Sequence, residues 1–374
     1  MRPLMPRYGI TRLARQTGLD TIGIPCFAAI RPNARTLSVN MGKGADDAAA
    51  MASAIMEAVE YAIAEQPEVA ATQATAATLR DAGNTLFDIS PWLPANAPLT
   101  DDLMLDWLAG RDLFSGVRVF APRDALIIGG ATSLAEFSQS TNGLASGNAL
   151  EEATFHALCE LVERDATTLW IFKSDAAAGA TRIDPAAFGD SIVDSLVAAI
   201  AASGLNLILF DQTTTIGVPV IFAVLAPADG PPDRYFDLAA GCGCHPVAAR
   251  AAIRAITEAA QTRISNIAGA RDDFDPSEYH QRVSTSLQGL LALADAPPKA
   301  PPPGLPLGTP LPALLAHLRA QVAGAGITRI AAFPLAAQAD FAVVRLLAHG
   351  LEDRSTNRHW RAGPRATGAM LGLW

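Results

Sequence analysis

The chain of 374 residues is short of several residue types, and each shortage excludes a class of protein. Its 4 cysteines are too few for a disulfide framework in a chain of this length. Only 17% of the residues are charged while 50% are hydrophobic, a composition that excludes intrinsic disorder. The net charge of −9 comes without a basic run, which argues against a nucleic-acid-binding or anionic-membrane-binding surface.

Long apolar runs are missing as well. Because no stretch of about 18 uninterrupted apolar residues occurs, no membrane span is predicted. Residues 1–8 lack an apolar signal core, so we expect a cytoplasmic protein. The length allows two domains or one large domain with subdomains, and we expect the single domain over 1–374. The Pro-rich stretch 297–304 is interpreted as an internal linker.

The spacing of apolar residues predicts three long helices. They cover 46–66, 149–170 and the segment from about Pro246 to about Ile267. For the second helix, Asn148 is the expected N-cap and Glu151 the expected capping-box acid. Strands are predicted as a pair around a turn in 22–40, and singly over 205–211, 218–226 and within 328–347.

The three predicted helices share one repeated pattern, in which polar residues recur at i, i+4 and i+7 on one helix face. The three sets are Ser53, Glu57 and Glu60; His156, Glu160 and Glu163; and Arg254, Glu258 and Gln261. Like charges three residues apart disfavour each other, so this spacing is not a device for helix stability. An ordinary solvated helix surface is one interpretation, and a cation site is the other.

Carboxylates that converge from two helices would need a cation. Hard oxygen ligands suit Mg²⁺, which keeps waters and binds together with substrate phosphates. A di-iron site is the competing interpretation, but it requires a Glu-x-x-His motif that this sequence lacks.

The third helix, with Arg254, Gln261 and Arg263, is fitted to donate hydrogen bonds to anions. Acids, arginines and an amide together indicate a nucleoside triphosphate site, although neither a Walker A loop nor Gly-x-Gly-x-x-Gly is present.

At these residues the sequence resembles the YcaO family of ATP-dependent enzymes that modify peptide backbones. The resemblance runs from about residue 7 to about residue 365 and rests on motifs in a fixed order. They are Gly42-Lys-Gly44 with Ser53-x3-Glu57-x2-Glu60; Ser146-Gly-Asn148-x3-Glu152-x7-Glu160-x2-Glu163-Arg164; and Arg254-x3-Glu258-x2-Gln261-x-Arg263, with Arg271-Asp-Asp273 beyond it.

The resemblance implies a fold and a set of ligands. The fold is α/β (α+β), with antiparallel β-sheets packed by helices and an ATP cleft lined by three acidic or polar helices. By motif match, Mg²⁺ would be held by Glu57, Glu60, Glu160 and Glu163. ATP would be contacted by Ser53, Asn148, Glu152, Arg164 and Gln261, with Lys43, Arg12 and Arg263 near the phosphates.

The resemblance also implies a reaction. Family members use ATP to convert a backbone amide oxygen into a phosphate leaving group while a nucleophile adds to the carbonyl. Azoline-forming cyclodehydratases use a Cys, Ser or Thr side chain of the peptide, whereas thioamide-forming members use a sulfide equivalent, often with a TfuA-type partner. Azoline formers typically end in a Pro-rich tail, and this chain ends in residues 363–374 without one, which favours thioamidation. Dimers are frequent in the family, so a homodimer is expected.

A non-catalytic module that binds a peptide or partner is the hypothesis of a different class, and the intact set of acids argues against it. Cys242-Gly-Cys244-His245 is interpreted as a strand-to-helix turn rather than a zinc site. The C-terminal arginines are expected to divide between solvated surface and substrate contact: Arg354, Arg358, Arg361 and Arg365.

Overall fold

The computed structural model describes residues 3–96, 99–130, 137–230, 232–283, 289, 291–293 and 296–373. The helices in these ranges are α1 (Leu4–Arg7), α2 (Asp47–Glu65), α3 (Ala76–Asp81), α4 (Leu150–Trp170), α5 (Asp175–Gly179), α6 (Ser191–Ala202), α7 (Ala248–Ala268), α8 (Leu311–Gly324) and α9 (Pro364–Met370). The strands are β1 (Arg12–Arg15), β2 (Cys26–Ile30), β3 (Val39–Lys43), β4 (Thr72–Ala74), β5 (Thr85–Leu86), β6 (Leu105–Asp112), β7 (Arg118–Pro122), β8 (Leu144–Gly147), β9 (Arg182–Ile183), β10 (Leu205–Asp211), β11 (Val220–Pro227), β12 (Ala239–Cys244), β13 (Ile330–Ala337) and β14 (Ala342–Ala348).

The three long helices predicted from periodicity are confirmed as α2, α4 and α7. The predicted strands correspond to β2 with β3, β10, β11 and β14, and their ends differ from the predictions by a few residues. None of the helices described in the structure is long and apolar enough to cross a membrane.

The chain divides into two compact units. Unit 1 comprises Met1–Val59 and Trp170–Thr309, and unit 2 comprises Glu60–Leu169 and Pro310–Trp374. The division falls inside α2, so Ser53 and Glu57 belong to unit 1 and Glu60 belongs to unit 2.

Unit 1 contains two antiparallel sheets, ordered β1-β2-β3 and β12-β11-β10-β9. The second sheet buries Ile221 and Leu209 against Ile256 of α7 and Ile200 of α6. Glycines let β12 lie directly on α7, since a Cβ at Gly241 or Gly243 would overlap the helix backbone around Ala255. This close packing places α7, which carries Glu258 and Gln261, against the sheet.

The segment around the CGCH sequence differs from its interpretation as a turn. Cys242 and Cys244 lie within β12 and are buried, because this strand pairs with β11 along its whole length. The turn into α7 begins only at His245, whose Nδ1 accepts a hydrogen bond from the Val247 N–H at 2.9 Å. The strand-to-helix turn prediction is therefore wrong for the two cysteines.

The Pro-rich stretch 297–304 is hydrogen-bonded to unit 1. The Lys299 N–H donates to the Arg182 carbonyl at 2.8 Å, and the Asp184 N–H donates to the Lys299 carbonyl at 3.0 Å. Just beyond the stretch, the Leu305 N–H donates to the Pro246 carbonyl at 2.7 Å.

Unit 2 is built on a seven-stranded sheet ordered β5-β7-β6-β13-β14-β8, with β4 paired to β6. Its pairs are antiparallel apart from the parallel pair β5–β7. The largest fully buried side chains of its sheet are Trp107, Phe333 and Arg345. Antiparallel sheets packed by helices confirm the predicted α/β (α+β) class.

The C-terminal arginines fall into two groups. Arg354, Arg358 and Arg361 are exposed, whereas Arg365 is buried and pairs with Asp165 in α4. The expectation of surface or substrate contact is therefore wrong for Arg365, because its guanidinium is used inside unit 2.

Candidate functional site

In unit 1, the part of the candidate site on α2 rests on small residues. Gly42 in β3 lies against the backbone of Ala50 and Ala54, and a Cβ at this position would overlap that backbone. The small residues of α2 thus admit a strand of the protein itself. Because β3 lies this close, it brings Met41 and Lys43 beside Glu57.

Glu57 is a half-buried carboxylate. Burial raises the pKa of Glu57 to about 7, against the smaller lowering effects of Lys43, Arg271 and a backbone hydrogen bond from Met41. The negative charge of Glu258 raises the pKa further. A desolvated carboxylate gains more from a nearby cation than an exposed one, so Glu57 suits a role as a metal ligand.

Lys43 forms an ion pair with Glu258 of α7, with 2.8 Å between Nζ and Oε2. The resemblance assigned Lys43 to the ATP phosphates, and the structure places its ammonium on a carboxylate instead. Glu258 is one residue that our site prediction omitted, although the helix repeat puts it in register with Glu57 and Glu160. That register was the signal that could have identified it.

Three further predicted residues of unit 1 have different surroundings. Gln261 has a buried Oε1 that accepts no hydrogen bond from the residues described in the structure. Arg263 lies with Nε 3.8 Å from Oδ2 of Asp20, whose side chain is fully buried. Arg12, at the start of β1, is exposed.

In unit 2, Glu60 joins α2 to β8. One oxygen of its carboxylate, Oε1, accepts the Ser146 N–H at 2.9 Å and the Ser146 hydroxyl at 2.6 Å. These two bonds fix the direction of the Glu60 side chain and give Ser146 of the motif a structural role.

Glu160 in α4 resembles Glu57 in its electrostatics. Burial raises the pKa of Glu160 to about 7, Arg164 lowers it, and the neighbouring Glu163 raises it. Its Oε2 accepts the Gly143 N–H at 3.2 Å, and its Oε1 lies 3.7 Å from Nη2 of Arg164. Glu163 is buried. Two acids on one helix, with Glu163 buried, Glu160 half-buried and an arginine beside Glu160, fit a divalent cation with phosphate oxygens.

Arg345 is a buried cation that our site prediction missed. It is almost fully buried on β14, and burial lowers its pKa to about 10 while Glu160 and Asp353 raise it. The sequence offered no periodic signal for it, because it lies in an apolar strand. The structure adds it to the charged groups around Glu160.

Asn148 and Glu152 contact each other at the start of α4. Oε2 of Glu152 accepts both the backbone N–H and the Nδ2 group of Asn148, each at 2.9 Å. Nε2 of His156 lies 3.7 Å from Oε1, and this contact, ahead of the hydrogen bonds from Asn148, lowers the pKa of Glu152 to about 2. The predicted capping-box acid, Glu151, is wrong. Since α4 begins at Leu150, Glu152 is the residue one helical turn from Asn148.

Over the described ranges, no group of three or more His, Cys, Asp or Glu side chains is already arranged to hold a metal ion. Mg²⁺ commonly uses one or two carboxylates and takes its other ligands from water and substrate phosphates. Glu57 in unit 1 and Glu160 in unit 2 each offer hard oxygen donors of the kind that Mg²⁺ prefers.

Comparison with protein families identifies the class of this chain. A family model described as YcaO cyclodehydratase, ATP- and Mg²⁺-binding, matches residues 41–352. The chain belongs to the YcaO family, which confirms the resemblance and the prediction of ATP and Mg²⁺ as cofactors. The class is that of ATP-dependent enzymes that modify peptide backbones.

Individual relatives are similar over most of the chain. A protein in the tfuA 3′ region of Rhizobium leguminosarum bv. trifolii is 39% identical over 384 aligned residues, which cover 100% of this chain and 90% of that protein. A protein of Methanothermobacter thermautotrophicus is 37% identical over 284 residues, covering 73% of this chain and 70% of its own.

Solved structures share the fold. YcaO from Methanopyrus kandleri, bound with AMPPCP and Mg²⁺, has a TM-score of 0.71 and 21% identity, covering 97% of this chain and 92% of that one. A chain of the E. coli microcin synthetase McbBCD complex with pro-MccB17 bound has a TM-score of 0.67 and 15% identity, with 95% of each chain covered.

Proposed function

We propose that this protein uses ATP and Mg²⁺ to activate a backbone amide of a peptide or protein by O-phosphorylation, and that its product is a thioamide. A sulfur donor adds to the amide carbonyl, the carbonyl oxygen takes the γ-phosphoryl group of ATP, and phosphate departs. The oxygen of the amide therefore leaves with phosphorus, and sulfur takes its place. Family membership over residues 41–352 supports the use of ATP and Mg²⁺.

The assignment of residues extends the motif match. Glu57, Glu60, Glu160 and Glu163 are the proposed Mg²⁺ ligands, and the metal would neutralise the charge on the phosphates. Ser53, Asn148, Glu152, Arg164 and Gln261 are the proposed ATP contacts, with Arg12, Lys43 and Arg263 near the phosphates. For Lys43 to reach a phosphate, its ion pair with Glu258 must open or be shared. Gln261 has an unused acceptor available for a donor of the nucleotide.

The observation that carries the choice of thioamide is the similarity, along the whole chain, to the protein in the tfuA 3′ region. A TfuA-type protein is accordingly the proposed partner, and the enzyme itself is proposed to act as a homodimer. Azoline formation is the second candidate, favoured by the cyclodehydratase description of the family and by the fold shared with a heterocyclase bound to substrate and cofactor at a TM-score of 0.77.

Mass spectrometry distinguishes the two products. The purified protein is incubated with ATP, Mg²⁺, sulfide, the proposed TfuA-type partner and candidate peptide substrates, and each component is omitted in turn. Exchange of oxygen for sulfur adds roughly 16 Da, whereas cyclodehydration removes roughly 18 Da, and both release the amide oxygen with phosphate. A water-loss product formed without sulfide would overturn the thioamide proposal. If neither product nor peptide-dependent ATP turnover forms, the non-catalytic binding module is the better account.

A further inference from the structure

Unit 2 contains a cavity of about 260 Å³ that the proposed ATP site does not use. Its apolar lining includes Trp92, Leu161, Ala348 and Trp360, and its polar lining includes Asn142. The volume is slightly below the roughly 300–1,000 Å³ of pockets for drug-sized ligands. It therefore suits one amino-acid side chain with the adjoining peptide groups, rather than a nucleotide.

The charged groups at this cavity are already satisfied by the protein. Glu352 accepts the indole N–H of Trp360 at 2.9 Å and the backbone N–H groups of Gly363 and Ala366 at 3.2 and 2.9 Å. Asp353 accepts from Asn142 and from the backbone N–H of Thr356, at 2.8 and 3.0 Å. Arg361, the cation of the lining, donates from Nη2 to the Ser90 and Leu93 carbonyls at 3.1 and 3.4 Å. With the two acids and this arginine engaged, a neutral ligand fits best.

One buried polar atom of the lining remains without a partner. Asn142 is 9% exposed, and its Nδ2 donates to the Asp353 carboxylate. Because a carboxylate only accepts, this bond fixes the orientation of the amide. Its Oδ1 is buried and accepts no hydrogen bond from the part of the chain that the structure describes. An unsatisfied buried acceptor is costly, and an N–H group from a ligand would remove that cost.

The cavity is also adjacent to a proposed metal ligand within the same unit. Gly143 follows Asn142 directly, and its N–H donates to Oε2 of Glu160. Gly143 has a φ of +77°, and a Cβ there would lie 2.5 Å from the Leu346 carbonyl oxygen, so the loop is held against β14. Asn142 and Gly143 are consecutive residues, so their Cα atoms are about 3.8 Å apart. A ligand bound at Asn142 would therefore lie close to the Glu160 carboxylate that Gly143 contacts.

We infer that this cavity is the substrate side-chain subsite: it takes a bulky apolar side chain of the peptide substrate and accepts one peptide N–H at Asn142 Oδ1. The inference rests on the proposed function for its biological meaning. Its physical content, binding of a neutral apolar amino-acid residue in unit 2, can be tested without ATP. The enzyme would accordingly prefer a large apolar residue close to the amide that it modifies.

The test uses N-acetyl-L-leucine methylamide as the probe and nuclear magnetic resonance of the tryptophan indole N–H groups as the readout. The full chain has 5 tryptophans, of which Trp92 and Trp360 line the cavity and Trp107 lines a second cavity of about 600 Å³, which shares Ser90 and Arg361 with the first. We expect saturable shifts at Trp92 and Trp360 at millimolar probe, with Trp107 unchanged. The lysine analogue of the probe is expected to bind at least about 10-fold more weakly, because a charge must be desolvated.

Two variants locate the binding. Ala348→Leu fills the cavity and should abolish the shifts, while Ala95→Leu, which changes a residue that lines only the second cavity, should leave them unchanged. Asn142→Ala removes the acceptor and should weaken probe binding by about 3- to 10-fold. Binding of Mg²⁺–AMPPCP by each variant verifies that it is folded.

The outcomes separate this inference from the proposed function. No shift at Trp92 or Trp360, equal binding by Ala348→Leu, or tighter binding of the lysine analogue would overturn the subsite. Failure of the wild-type protein to bind Mg²⁺–AMPPCP would count against the proposed function. The probe experiment would still test the cavity, because it does not depend on ATP.

Discussion

Arg365 and Asp165 form a two-bonded ion pair in the interior of unit 2. Nε and Nη2 of Arg365 donate to the two carboxylate oxygens of Asp165 at 2.9 and 2.7 Å, and both residues are buried. The Glu352 N–H also donates to Asp165, at 3.0 Å. The pair links Arg365, at the start of α9, to α4, the helix that carries Glu160 and Glu163.

We expect Arg365→Ala to lower the free energy of unfolding by about 3–5 kcal/mol, because it leaves the Asp165 carboxylate buried without its cation. Urea denaturation measures the loss. Arg354→Ala is the matched control, since this side chain is exposed, and it should change stability by no more than about 0.5 kcal/mol. Wild-type stability of Arg365→Ala, combined with a raised KM for peptide, would mean that Arg365 contacts substrate.

The stability of the ligand-free protein should depend on pH through Glu57 and Glu160. Burial raises the pKa of each from 4.5 to about 7, so each takes up a proton on folding between these values. The stabilisation from the protonated groups is fully present below the unfolded pKa and is lost as pH rises through about 7. We expect the free energy of unfolding without Mg²⁺ and nucleotide to fall between about pH 5 and about pH 8.

The double variant Glu57→Gln, Glu160→Gln provides the control for this pH dependence. Its neutral amides cannot ionise, so its stability should fall less over the same range in parallel urea titrations. Identical pH profiles for the double variant and the wild type would show that these two carboxyls do not titrate as their burial indicates.

Gln261→Ala and Arg164→Ala should lose nucleotide affinity while keeping the fold. Gln261 has an acceptor without a partner among the described residues, and Arg164 lies beside Glu160. Circular dichroism and calorimetric titration with Mg²⁺–AMPPCP measure the two properties separately. Gln281→Ala, at an exposed glutamine, is the control for the amide. If either site variant unfolds the protein, the residue is structural and its placement at the nucleotide is wrong.

The sequence predicted the local helices but not the contacts between residues that are far apart along the chain. Helical periodicity located α2, α4 and α7, and the shared spacing brought Glu57, Glu160 and Glu258 into one register. The Lys43–Glu258 and Asp165–Arg365 pairs span 215 and 200 residues, and no local pattern encodes such contacts. The capping error has a similar origin, because the choice between Glu151 and Glu152 depends on where α4 begins, and helix ends shift easily by a residue.

The central claim is that carboxylates of the helix repeat hold the Mg²⁺ through which ATP binds. Calorimetric titration of AMPPCP into the wild type, Glu57→Gln, Glu160→Gln and the control Glu151→Gln, each with Mg²⁺ and with EDTA, tests it most directly. We expect binding by the wild type only with Mg²⁺, a loss of at least about 10-fold in affinity for Glu57→Gln and Glu160→Gln, and no change for the exposed Glu151. Equal affinity of the wild type in EDTA, or wild-type affinity of both site variants, would contradict the claim.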